Sequence, residues 1–105
     1  LRAQAVGNAL FGLQGCSSEH AEVRDVITAL TPKIANCSEP LRAQAVGNAL
    51  YGLKGCSSEH AEVRSILKVL SPHIAKCPET LDAQEIGNAL YGLRGCSSER
   101  AEVRR

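Results

Sequence analysis

The sequence predicts an all-α protein, an α-solenoid of stacked antiparallel helix pairs with a period of 40 residues. Three observations predict it. The first is repetition: LRAQAVGNALFGLQGCSSEHAEVR opens at Leu1, LRAQAVGNALYGLKGCSSEHAEVR at Leu41 and LDAQEIGNALYGLRGCSSERAEVR at Leu81. The first two copies agree at 28 of 40 positions, and a fixed period of this size is the signature of stacked repeats. The second is that apolar residues recur at helical spacing while no segment alternates with period two. The third is that the connection within each copy is only a few residues long, which makes consecutive helices antiparallel neighbours. The copies divide the chain into repeats 1–40 and 41–80 and a truncated third repeat, 81–105.

The first helix of a repeat is expected from about Leu1 to Gln14. At 100° per residue Ala3, Val6, Ala9, Leu10 and Leu13 share one face, the stripe of an amphipathic helix. Gly15 stands where helices commonly end in a left-handed residue. Ser17 and Ser18 offer hydroxyls to cap the second helix, and Glu19 and Glu22 suit its positive end. That helix is expected from about Glu19 to Leu30, with Val23, Val26, Ile27 and Leu30 on one side and Ile34 continuing the stripe. Pro32 interrupts it, at a cost of about 3 kcal/mol inside a helix. Thr31-Pro32, repeated as Ser71-Pro72, has the pattern of an N-cap followed by proline at the first helical position. Either the second helix kinks there or a short third helix spans about Pro32 to Cys37. Ser38-Glu39-Pro40 and Pro78-Glu79-Thr80 carry turn chemistry into the next repeat.

Two glycines lie inside the first helix and recur: Gly7 and Gly12, Gly47 and Gly52, Gly87 and Gly92. Each costs nearly 1 kcal/mol relative to alanine in a helix. Close approach of a neighbouring helix, or of a ligand, would offset that cost.

The other side of the first helix holds the candidate site. Gln4, Asn8 and Phe11 are spaced i, i+4, i+7 and so form one stripe. It recurs as Gln44, Asn48 and Tyr51 and as Gln84, Asn88 and Tyr91. Stacking would turn the three stripes into a ladder of amides and aromatic rings. A carboxamide both donates and accepts, so it can pair with a peptide backbone or a base edge. A ring offers a stacking surface to bases or apolar side chains. The same residues could instead bind the neighbouring repeat. Gln14, Lys54 and Arg94 vary at one register position, as do His20, His60 and Arg100, and such positions suit either solvent exposure or the reading of a partner.

The bulk composition narrows the function. Net charge is +1 and the isoelectric point about 7.8, below the value above about 9 usual for a strongly nucleic-acid-binding domain. No apolar run approaches the length of a membrane span. The five cysteines, Cys16, Cys37, Cys56, Cys77 and Cys96, sit in repeat register without a C-x-x-C pair. That pattern points to buried thiols in a reducing, intracellular compartment and not to a disulfide framework or a zinc site. No nucleophile–histidine–acid order, phosphate loop or carboxylate pair stands out, so the chain is expected to be non-enzymatic, with no cofactor and no catalytic or metal residues.

These residues resemble the α-solenoid repeat families. The period and the possible third helix are similar to HEAT and armadillo repeats. The stretch Gly47-Asn48-Ala49-Leu50-Tyr51-Gly52-Leu53 is similar to the core of octotricopeptide-like repeats of organellar RNA-binding proteins. The armadillo resemblance implies that Asn8, Asn48 and Asn88 hold an extended peptide backbone. The tryptophan common beside that asparagine is absent here, and so is the proline-rich second-helix signature of octotricopeptide repeats. The expected role is therefore a scaffold that binds another protein or an extended peptide, as part of a larger assembly. The alternative is single-stranded RNA binding through the ladder, aided by Lys54, Lys68 and Arg94. The chain begins at a repeat boundary and stops at Arg105, where the second helix of the third repeat should start, so further repeats or self-association are expected at the truncated C-terminal end.

Overall fold

The computed structural model describes residues 2–79 together with Gly87, Gly92, Leu93 and Cys96. Its described elements are four α-helices: α1 (Ala3–Phe11), α2 (Ala21–Ala35), α3 (Ala43–Gly52) and α4 (Ala61–Ala75). Among the described residues there is no strand, and no helix is long and apolar enough to cross a membrane. The protein is all-α. Helices 40 residues apart pack on each other, α1 on α3 and α2 on α4.

The core is built from the expected stripes with one correction: Val26, placed on the stripe of the second helix, is 44% exposed, because no described residue packs over its side of α2. Val6, Leu10, Ile27 and Ile34 of the first helix pair and Val46, Leu50, Val63 and Leu67 of the second are buried in a single cluster. At about 25 cal/mol per Å² of apolar surface, each such side chain contributes some 1.5–3 kcal/mol. The cysteines belong to the same packing. All five thiols are free, and Cys37 and Cys56 are buried. Burial, and secondarily the neighbouring thiolates of Cys96 and Cys16, pushes the Cys56 thiol up to about 11.

Helix ends depart from the expectations. The first helix stops at Phe11, and Gly12 has ordinary right-handed torsions, φ −62° and ψ −18°. A chain of tight turns follows, with Leu13 N–H donating to Leu10 O, Gln14 to Phe11 and Cys16 to Leu13. No described glycine has positive φ, so Gly15 is not a left-handed terminator. The serines do not cap α2 either. His20 holds the N-cap position without a side-chain bond. Instead Arg24 Nη1 donates to the carbonyls of Ser18 and Glu19 at 2.7 and 3.0 Å, and Arg64 repeats this on Ser58 and Glu59.

Of the two readings of Pro32, no separate third helix forms. α2 continues through Pro32 to Ala35, and α4 through Pro72 to Ala75. Thr31 Oγ1 donates to Ile27 O at 2.7 Å, within the helix, instead of capping a new one. Two circumstances make the proline tolerable. Thr28, whose carbonyl loses its usual N–H donor, is solvent-exposed, and Ile34 beyond the proline is fully buried. His73 Nε2–H also donates to Ile34 O at 2.9 Å, so the second repeat closes the end of α2.

The residues expected to form a simple turn have a second task. Glu39 Oε1 accepts the N–H of Ala3 at 2.8 Å, and its Oε2 pairs with Arg2 at 3.2 Å. Glu79 treats Ala43 and Arg42 identically. Each glutamate thus caps the first helix of its own repeat from 36 residues away, satisfying an orphan donor at the helix's positive end.

Candidate functional site

The ladder begins with what α1 and α3 leave outside the core. Gln4, Asn8 and Phe11 are exposed on α1. On α3 Gln44 is exposed, and Asn48 and Tyr51 are half-buried. Among the described residues the side-chain amides of Gln4, Asn8, Gln44 and Asn48 have no hydrogen-bond partner. The reading in which these amides grip the neighbouring repeat therefore finds no bond there. Gln84, Asn88, Tyr91 and Arg94 lie outside the described residues.

The aromatic rungs do meet. Phe11 and Tyr51 stack with ring centroids 5.8 Å apart and an interplanar angle of 26°. Lys54 Nζ donates to the Tyr51 hydroxyl at 3.0 Å and lies 4.4 Å from the ring centroid, so the cation rests against the aromatic system. Lys54 is thus drawn into the ladder, whereas its counterpart Gln14 is half-buried and makes no such contact. At the other end of the stripe, a cleft of about 440 Å³ opens between the starts of α1 and α3. Gln4 and Gln44 line it together with Glu39, Pro40 and Arg42. Uncommitted amides, one carboxylate and one guanidinium therefore border a single recess, which can pair with both the N–H and C=O groups of an extended chain.

Close approach of α1 and α3 places the stripes side by side, and the glycines permit it. A Cβ on Gly52 would stand 1.8 Å from the carbonyl oxygen of Leu10, and one on Gly92 would stand 1.7 Å from that of Leu50. Gly7 meets Ala45 more gently, at 3.1 Å. Neighbouring backbone, and not a ligand, occupies the space that these glycines leave.

Sequence reasoning missed the junction that locks the two loops. Ser18 is buried, 1% exposed. Its Oγ accepts the N–H of Ser57 at 2.8 Å and lies 2.9 Å from His60 Nδ1. The other ring nitrogen of His60, Nε2, lies 3.9 Å from Glu19 Oε2. Ser18 N–H also donates to Gly55 O at 3.2 Å. Serine, histidine and glutamate meet here, with the serine buried in the contact between the two repeats among the described residues. The available signal was the recurrence of Ser18, Ser58 and Ser98 at one register position, which a capping role explained equally well. Among the described residues no group of three or more histidine, cysteine or acidic side chains is placed to hold a metal ion. No family model matches the chain, and neither a curated protein nor a solved structure matches it.

Proposed function

We propose that the chain is an α-solenoid of antiparallel helix pairs with a 40-residue period, of HEAT or armadillo type, and that it is a non-enzymatic scaffold. Its ligand in this reading is an extended segment of another protein, laid along Gln4, Asn8 and Phe11 and on to Gln44, Asn48 and Tyr51. The observation that carries it is the set of four amides with no partner among the described residues, held in register by backbone packing of α1 on α3. Glutamine and asparagine on a helix surface contribute little to folding, and repeating them beside stacked rings suits main-chain recognition. The aromatic geometry favours a peptide over RNA. Phe11 and Tyr51 already fill the space between their rings, so a base would stack only on an outer face, and Lys54 is spent on Tyr51.

The test compares two probes on the full chain: a phage-displayed library of random extended peptides and a mixed-sequence single-stranded RNA. Peptides are expected to be enriched, and Asn8→Ala/Asn48→Ala is expected to weaken them by about tenfold or more, as for a few lost hydrogen bonds. The thermal unfolding curve should be unchanged, because both asparagines project from helix surfaces. RNA binding that falls steeply with added salt, or peptide binding indifferent to the asparagines, would overturn the reading.

A further inference from the structure

We propose that the recess between the C-terminal ends of α2 and α4 is a second docking site, which takes an acidic side chain of a partner protein. It lies on the second helices of the repeats, whereas the ladder lies on the first, so it does not depend on what the ladder binds.

The recess holds about 340 Å³. One wall is Ala35 with the turn 37–40, and the other is Pro72, His73 and Lys76. Both walls belong to the described residues. Two contacts fix them. Within the turn, Cys37 Sγ–H donates to Glu39 O at 3.7 Å. His73 Nε2–H donates to Ile34 O at 2.9 Å and so ties α4 to the end of α2.

Positive charge is in excess here. The chain has no acidic residue from 26 to 38 or from 63 to 78. Glu39, the carboxylate at the rim, is already engaged by the Ala3 N–H at 2.8 Å and by Arg2 at 3.2 Å. Lys33 and His73 stand in the last turns of α2 and α4, where a basic side chain offsets the negative end of a helix. Lys76, one residue past α4, is additional to that pair, and the first repeat has neutral Asn36 in its place. Arg2, Arg24 and Arg42 each face a glutamate. Lys76 has no ion pair among the described residues.

Charge complementarity identifies the occupant. The Lys76 ammonium and the Ser38 hydroxyl are exposed at the recess and without a partner among the described residues. Both donate, which suits an anionic oxygen. Ala35, Pro40 and Pro72 offer apolar wall to the methylene groups of an aspartate or glutamate. Phosphate is served less well. No arginine fork is among the described lining residues. The helix ends here are also negative, the reverse of the helix N-termini that hold phosphate. One negative charge on a short hydrocarbon stem matches one ammonium.

Fluorescence anisotropy of labelled hexaglutamate and hexaglutamine peptides against the full chain tests this. Hexaglutamate is expected to bind and hexaglutamine is not, with affinity falling as salt is added. Lys76→Asn is expected to weaken hexaglutamate about fivefold, with helical circular dichroism intact because the side chain is exposed. Lys68→Asn removes the same charge from α4 outside the recess and should change affinity less than about twofold. Asn8→Ala/Asn48→Ala should leave it unchanged, so this site and the ladder can fail separately. On the unaltered chain, amide NMR shifts induced by hexaglutamate should concentrate at residues 35–40 and 72–77. Absence of hexaglutamate binding, equal losses from the Lys68 and Lys76 variants, or shifts centred on α1 and α3 would each overturn the proposal. So would tighter binding of inorganic phosphate or of mixed-sequence RNA than of hexaglutamate.

Discussion

The helix pair Ala3–Ala35 and the pair Ala43–Ala75 are nearly the same sequence in two different environments. Val63 and Leu53 are fully buried, while their counterparts Val23 and Leu13 are only half-buried. Ile66 is buried, and Val26 in its register position is 44% exposed. Cys56 is buried where Cys16 is half-exposed. Among the described residues the second pair is approached from both sides, with Gly52 against Leu10 and Gly92 against Leu50, whereas the first pair is approached from one. In a stacked array, burial at these positions is set by what adjoins the repeat, so equal residues carry unequal energies.

The largest difference between the two pairs is expected from a single methyl group. Gly52→Ala drives Cβ into the Leu10 carbonyl, backbone that cannot rotate away, and is expected to cost about 3 kcal/mol. Gly12→Ala has only its own helix to meet and is expected to be neutral, or to gain up to about 1 kcal/mol from helix propensity. Urea unfolding of the two variants measures the difference. Equal losses would mean that both glycines answer a demand of the isolated repeat.

A smaller split is expected where side-chain volume is removed. Ile66→Ala leaves a cavity in the core cluster and should cost about 3 kcal/mol. Val26→Ala, on the open face, should stay within about 0.5 kcal/mol. Thermal melts of the two variants measure this split, and a large loss at Val26 would show that its side of α2 is covered in solution.

The smallest effect concerns a feature that the two pairs share. The backbone N–H of Ala43 holds the Glu79 carboxyl below the usual range, against a modest desolvation cost, and the hydrogen bond and charge of Arg42 add to it. A carboxyl depressed in the folded state stabilises fully above its unfolded value of about 4.3, and that contribution is lost as pH falls through the folded value below it. The melting temperature is therefore expected to drop on acidification from about pH 5 to pH 3. Glu79→Gln should flatten the drop, and Glu59→Gln, whose side chain caps no helix, should not. Identical profiles for the two variants would remove the cap from the account.

Much of the fold was legible because it depends on local periodicity. Val6, Leu10, Ile27 and Ile34 declare their buried face through spacing alone, and the 40-residue register declares which helices meet. The candidate stripe of Gln4, Asn8 and Phe11 was legible for the same reason. The Ser18–His60 junction was not, because a serine before a helix has an ordinary local use in capping and nothing nearby in sequence forbids it. The Glu39 cap was hidden by distance, since its donor lies 36 residues upstream. Pro32 left two readings open, a kink or a new helix, because propensity weighs the lost hydrogen bond and ignores the burial of Ile34 beyond it.

By itself the sequence determined that the chain is helical and which side of each helix carries most of the buried residues. Those properties follow from side-chain spacing on a 3.6-residue turn, which needs no partner to be defined. Only the tertiary structure decided which glycine is indispensable, which serine is buried and which valine is bare. These depend on the distance between α1 and α3 and between α2 and α4, and that distance is set by contact between backbones that the sequence places 40 residues apart.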